Sequence, residues 1–203
     1  MRHPPALLAA AGLLAAGCAS TSYRGVSAAE ARAAGWERVE GVPEVRQETQ
    51  QGCGAAALAM VLGHWGRSVA QAEILAATPP PDGQGLRADA LRDFARGRGL
   101  QAFLVQGEPA DLHREVARNR PVVVGLLKRQ GRRLVPHYEV VVGLDRARRR
   151  VLLLDPARGP RETGFEPFQR DWSAAGRVTL VVFPAQPAPE PSVNTPARDG
   201  RAP

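Results

Sequence analysis

An α+β fold is the prediction for this 203-residue chain, and three observations carry it. Between a segment of signal-peptide character and a proline-rich end lies a body of about 150 residues, enough for one domain. The first half of that body has apolar residues at helical spacing, and the second half has short β-branched or leucine-rich runs separated by turn residues. Helices first and strands afterwards is the α+β order, and the strands should form a mainly antiparallel sheet. With 44% hydrophobic and 23% charged residues the chain can bury a core, which excludes a wholly disordered protein.

Taken in order, the helical pattern is clearest in GAAALAMVLGHWG (54–66), in VAQAEILAAT (69–78) and in ADALRDFARGRG (88–99). In the third, Leu91, Phe94 and Ala95 share a face, and Gly97 or Gly99 ends the helix. Pro79, Pro80, Pro81, Asp82 and Gly83 between the last two mark a loop. ADLHREVARN (110–119) offers a further helix, closed by Pro121. Then come four strands, PVVVGLL, HYEVVVGLD, RVLLLD and RVTLVVF.

The ends read differently. Residues 1–17 have Arg2, an apolar stretch from Ala6 to Ala16 and small residues before Cys18, the anatomy of a signal peptide. Eleven residues make a helix of about 16 Å, roughly half the apolar thickness of a bilayer, so a permanent span is disfavoured. Leu14-Ala15-Ala16-Gly17-Cys18 resembles a bacterial lipobox, with alanine in place of leucine three residues before the cysteine. The resemblance implies lipidation at Cys18 and a firm membrane anchor, since several acyl chains are buried together. Ala19 after the cysteine implies the outer membrane, with the body on its periplasmic face. Residues 18–35 then form a tether, with a short helix over SAAEARAAG, and 185–203 a disordered tail.

Candidate chemistry centres on Cys53, flanked by glycines and followed at once by an alanine-rich helical run. A thiol at a helix N-terminus faces unpaired N–H groups and the positive end of the dipole, and both favour thiolate. A cysteine taken alone is more simply a small buried hydrophobe. Two further residues tip the reading. His137 opens HYEVVVGLD and Asp155 closes RVLLLD, so a hairpin would bring them together. Pairing Leu144 with Arg150 sets Asp155 opposite Glu139, on the same face as His137 and within diagonal reach. A slip of one residue would put imidazole and carboxylate on opposite faces. The three groups suit acyl transfer, with a thiolate nucleophile, an imidazole base then acid, and a carboxylate that fixes the tautomer. Gln47 can offer an amide N–H to the oxyanion together with the Cys53 backbone N–H, although Gln50 and Gln51 compete on residue type.

These features resemble the papain-like cysteine peptidases that process bacteriocin and quorum peptides, found at the N-terminus of peptide-exporting ABC transporters and as free-standing relatives. The likeness runs from about Val42 to Pro184 and rests on Gln47 six residues before the cysteine, Cys53-Gly54 followed by AAALAMVLGHWG, GLRADALRDFARGRGLQA, His137-Tyr138 opening a valine strand, and Asp155-Pro156-Ala157 closing the next. It implies a papain-like α+β fold over 36–184, a helical lobe carrying Cys53 packed on a sheet carrying His137. By that match Cys53 is the nucleophile, His137 the general base and acid, Asp155 the orienting residue and Gln47 the oxyanion donor. A lipid signal would place the body across the inner membrane from the transporter-linked enzymes. Their double-glycine leader substrates therefore do not carry over, and a peptide or protein substrate is expected. The rival readings are a non-catalytic peptide-binding or maturation module with an envelope protein partner, and a transamidase or amidase on the same triad.

Other residues point to blander roles. Glu139 alternates to the same side as His137, where it could raise the imidazole pKa, but the simpler expectation is a strand edge facing solvent; His113 is expected on an exposed helix face, and His64 beside Trp65 in a packing and capping pair. No histidine pair has zinc-helix spacing, so neither metal nor cofactor is expected. The net charge of +7 is arginine scattered along a chain with a single lysine, Lys128, and comes with no nucleic-acid motif or aromatic platform. Arg146, Arg148, Arg149 and Arg150 read as a solvated hairpin turn, with anionic lipid as the alternative contact.

Overall fold

The computed structural model describes residues 35–80 and 85–185. The expected signal peptide, Cys18, the tether up to residue 34 and the tail beyond Ala185 lie outside them. The described elements are β1 (Glu37–Arg38), α1 (Cys53–His64), α2 (Gln71–Ala77), α3 (Ala88–Gly97), β2 (Leu100–Gln106), α4 (Pro109–Ala117), β3 (Val122–Gln130), β4 (Arg133–Asp145), β5 (Arg150–Asp155), β6 (Gly159–Gly164), α5 (Phe165–Ala174) and β7 (Val178–Pro184). No helix among the described residues is long and apolar enough to cross a membrane.

The sheet is antiparallel throughout, in the order β2-β7-β3-β4-β5-β6, with β1 on the stretch of β4 that β3 leaves free. Its centre reads as runs of buried valine and leucine: Val122, Val123 and Val124 in β3, Val140, Val141 and Val142 in β4, Val151 and Leu153 in β5. Against β4 packs α1, in which every residue from Cys53 to Leu62 is buried. A helix apolar on all sides belongs inside a core, and its alanines let the sheet approach closely. Full burial of Leu58, Met60 and Leu62 contributes about 1.5–3 kcal/mol each.

The expected helices form, with ends set by backbone conformation. In α3, Leu91 and Ala95 are buried and the helix stops at Gly97, because Gly99 takes a left-handed φ of 75°. α4 opens on Pro109 with a reciprocal Glu108–Asp111 capping box. It closes at Ala117, ahead of Pro121, where Asn119 turns to a φ of 56°.

Four elements depart from the expected order, the two-residue β1 ahead of the helices among them. β2 sits within the helical half and pairs with β7 along its whole length, burying Leu100 and Ala102 while Phe103 and Val105 face out. β6, GPRETG, has no apolar period and owes its extended shape to pairing with β5. α5 buries Phe168 and Trp172, one helical turn apart. Near the β4–β5 turn Asp145 faces Arg150, one residue away from the predicted Leu144–Arg150 pairing. An irregularity between Val141 and Gly143 takes up one extra residue, and beyond it Val140 faces Leu154. Continued one step, that register sets Asp155 opposite Glu139, as predicted.

Candidate active site

Cys53 is the first residue of α1, a buried free thiol behind Gly52. Gly54 explains how the helix reaches β4: a Cβ there would meet Tyr138 Cδ2 at 3.2 Å and Leu86 Cβ and Leu91 Cδ1 at 3.3 Å. A Cβ would have to push these neighbours back by a few tenths of an ångström, so glycine lets the helix start sit this close to the strand of His137. Burial pushes the Cys53 thiol up, but the hydrogen bond and charge of His137, with the backbone N–H groups of Tyr138 and Gly54, hold it below its ordinary value.

His137 Nε2 lies 2.7 Å from Asp155 Oδ1. With that nitrogen engaged, Nδ1 is the one left for the sulfur. Burial works against the imidazolium, yet the Asp155 hydrogen bond and the neighbouring Cys53 raise its pKa above the usual imidazole value. Asp155 is buried, and its Oδ1 also accepts from the Ala157 backbone N–H at 2.9 Å. Burial opposes its ionisation, but the His137 bond and the Lys128 charge hold its carboxyl well below the usual carboxylate range. Burial, reinforced by the Cys53 charge, pushes the Tyr138 phenol up to about 12.

The structure therefore sets Cys53 at the start of α1 against the strand of His137, and joins His137 to Asp155. Gln47 lies in the loop before α1, its backbone N–H donating to Pro156 O at 2.9 Å, which ties this loop to the end of β5. Its side-chain Nε2 donates to Thr49 O at 2.9 Å and Gln50 O at 3.2 Å, while Oε1 is buried without a partner. Its two amide hydrogens thus point at loop carbonyls. Gln50 and Gln51 are exposed.

Glu139 corrects the expectation of a solvent-facing strand edge: its side chain is 0% exposed. It binds Lys128, and Arg161 Nη2 donates to its Oε2 at 2.7 Å. Lys128 reaches it from β3 and Arg161 from β6, and between these two cations its carboxylate has no route to solvent. The alternation of the strand sets Glu139 on the His137 side, but nothing in the sequence announces its partner Arg161, which comes from β6, a strand without a hydropathy pattern. A His137 nitrogen and one oxygen each of Glu139 and Asp155 lie within 4.8 Å of one another, a spacing that metal ligands also have. Here both carboxylates already face Lys128 and Arg161, and a divalent ion would meet those cations. Burial and the Arg161 charge bring the Lys128 ammonium down to about 8.

His113 also departs from expectation: it is partly buried, and its Nδ1 accepts from Arg146 Nε at 3.1 Å. His64 packs edge-on to Trp65 with centroids 4.5 Å apart, and its Nε2 lies 3.0 Å from Asn119 O. A cavity of about 200 Å³ lies at the β4–β5 turn, lined by His113, Arg146, Arg149 and Phe165 among others, and none of the clustered groups borders it.

Comparison with known proteins agrees with this arrangement. The peptidase domain of Streptococcus ComA, a bifunctional ABC transporter involved in a quorum-sensing pathway, is 24% identical with a TM-score of 0.60, covering 71% of this chain and 100% of that one. A double-glycine-motif protease from an AMS/PCAT transporter, solved with the leader peptide, is 24% identical with a TM-score of 0.57, covering 73% and 94%. A C39-like peptidase from Bacillus anthracis is 18% identical with a TM-score of 0.62, covering 74% and 98%. These likenesses establish the papain-like α+β fold, helical lobe against antiparallel sheet. Among curated proteins none matches the chain. The model of the peptidase C39 family matches residues 42–186, most of the chain, and so the chain belongs to the peptidase C39 family and is a cysteine peptidase of that type.

Proposed function

We propose that the chain is a lipid-anchored peptidase of the cell envelope that cleaves a peptide or protein substrate through an acyl-thioester on Cys53. One observation carries the reading: His137 Nε2 bonds Asp155 Oδ1 at 2.7 Å, and the same imidazole holds the Cys53 thiol at the start of α1 below its ordinary pKa. The Cys53 thiolate attacks the scissile carbonyl carbon, and the oxyanion forms near the backbone N–H of Cys53. Gln47 would join it by turning one amide hydrogen from the Gln50 carbonyl, the longer of its two bonds. The His137 imidazolium gives its proton to the leaving amine as the C–N bond breaks. Water then attacks the thioester with His137 as base, the C–S bond breaks, and acid product and thiolate are regenerated. Asp155 keeps Nε2–H engaged throughout, fixing the tautomer.

The pKa directions define the working window. With the thiol lowered and the imidazole raised, the ion pair exists from below the ordinary thiol range up to the point where His137 loses its proton. Iodoacetamide should therefore label Cys53 rapidly at about pH 6.5, where an ordinary thiol of pKa about 8.5 is almost wholly protonated. In His137→Ala burial acts unopposed by the imidazole, and labelling should slow at least tenfold. Equal, slow labelling of both proteins would remove the activated nucleophile. Digestion of a peptide library then separates chemistries, since cleavage supports hydrolysis and incorporation of an added amine supports transamidation. Mass spectrometry of the mature N-terminus tests the anchor, with diacylglyceryl-modified Cys18 expected and an unmodified terminus at any other residue counting against it.

A further inference from the structure

Four adjacent strands each place one charge near His137: Lys128 on β3, Glu139 on β4, Asp155 ending β5 and Arg161 on β6. The two carboxylates are buried almost completely, the two cations largely so. Their contacts are unequal. Glu139 takes Lys128 on Oε1 and Arg161 on both oxygens, Nε at 3.3 Å to Oε1 and 3.1 Å to Oε2, with Nη2 at 2.7 Å. Asp155 meets the same cations only at Oδ2 and at longer range, Lys128 Nζ at 3.5 Å and Arg161 Nε at 3.6 Å. Its Oδ1 is left to His137 and the Ala157 N–H. Glu139 Oε1 itself lies 3.8 Å from His137 Nε2.

The proposed catalytic reading assigns no role to Glu139, so a fully buried glutamate with two dedicated cations requires a separate account. We infer that Glu139 is a positioning residue: it anchors Lys128 and Arg161, leaving one oxygen of Asp155 for His137, and its charge steadies the imidazolium. Without that negative charge, two buried cations would have Asp155 as their nearest carboxylate and would compete with His137 for it. Burying like charges without a counterion is costly, which gives the competition its force. The inference rests on the reading of His137 as the imidazolium of an ion pair.

The test is the titration of His137 followed by NMR in the full chain, its signal assigned with His137→Ala. The groups facing the ring are Cys53 at the start of α1, Glu139 on its own strand, Asp155 at the end of β5, Lys128 on β3 and Arg161 on β6. Arg158 in the β5–β6 turn acts on Lys128, and Asp89 of α3 acts on Tyr138. Glu139→Gln should lower the His137 pKa by about one unit, as a unit charge within about 4 Å is removed. Lys128→Met should raise it, and the double variant should return it toward the wild-type value. A role in fold alone predicts no opposed shifts of the His137 pKa, whatever the stability of the variants. Shifts of the same sign, or no shift in folded variants, would overturn the inference. If Glu139→Gln does not fold, the rise in Lys128→Met alone decides. A wild-type His137 without a raised pKa, together with slow Cys53 labelling, would overturn the ion-pair reading and this inference with it. A raised wild-type value that neither variant moves would overturn this inference only.

Discussion

Two arginine–glutamate pairs of nearly equal length flank opposite ends of the same strands. Arg149 and Glu166 lie 2.8 Å apart at the β4–β5 turn, with side chains 63% and 65% exposed. Arg161 and Glu139 lie 2.7 Å apart beside His137, at 21% and 0%. Distance alone would rank them together. At the turn, water screens the charges and both side chains keep alternative positions, so the pair contributes little. Beside His137 the glutamate has left water entirely, and breaking the pair would strand charge in the interior. The burial that distinguishes the pairs also allows one end of the sheet to perturb a thiol and an imidazole.

Substitutions at each end sharpen the contrast. The largest effect is expected for Asp155→Ala. It removes the partner of His137 Nε2 and leaves Lys128 and Arg161 near the ring, so peptide cleavage should fall by about 10³-fold or more. The stopped assay would be accompanied by slow Cys53 labelling at about pH 6.5, as the imidazolium loses its carboxylate. Retained cleavage within about tenfold of wild type would remove Asp155 from the chemistry.

Next comes Glu139→Gln, judged here by stability. Removing one member of a buried, hydrogen-bonded pair costs about 3–5 kcal/mol when its partner stays charged. A clear drop in the urea midpoint at pH 7 is expected. An unchanged midpoint would mean that water reaches the cluster and that the two ends of the sheet are alike.

Gly54→Ala probes the steric side of the same end. The added Cβ would stand 3.2 Å from the Tyr138 ring, tighter than ordinary contact, in a fully packed setting. Overpacking costs about 1–3 kcal/mol, and any retreat of α1 carries Cys53 away from His137. Cleavage should therefore fall more than the loss of folded protein accounts for, as activity per folded molecule would reveal.

Much of this end was legible in the sequence. Cys53 before an alanine run and the hairpin spacing of His137 and Asp155 are local signals, and the chain places these residues together. The hairpin reading reached the right partners although its turn was one residue out, because the irregularity at Val142 adds the missing residue. Nothing in a valine run announces such an insertion. Glu139 was misread for a different reason: polar residues in strands usually face water, and its burial follows from Lys128 and Arg161, which reach it from β3 and β6. Arg161 lies on a strand formed by pairing, not by hydropathy, so no local pattern linked it to Glu139. β2 was missed although Leu100, Ala102 and Leu104 alternate, because Phe103 and Val105 on its outer face blur the apolar–polar period.

The smallest effect is expected at the turn. Glu166 stands in the first turn of α5, exposed and 2.8 Å from Arg149. Its only losses on substitution by glutamine are a screened pair and a weak interaction with the helix N-terminus, both accessible to solvent. The thermal midpoint of Glu166→Gln should stay within about 1 °C of wild type in moderate salt, where the Debye length is about 8 Å. The His137 titration should not move, since the turn sits at the other end of β4 and its charges are screened over that distance. The same glutamate-to-glutamine change, at pairs of almost the same length, thus contrasts a buried carboxylate held by two cations with an exposed one held by a single arginine. A midpoint shift in Glu166→Gln as large as that in Glu139→Gln would show that pair geometry, and not removal from water, sets the strength of these bridges.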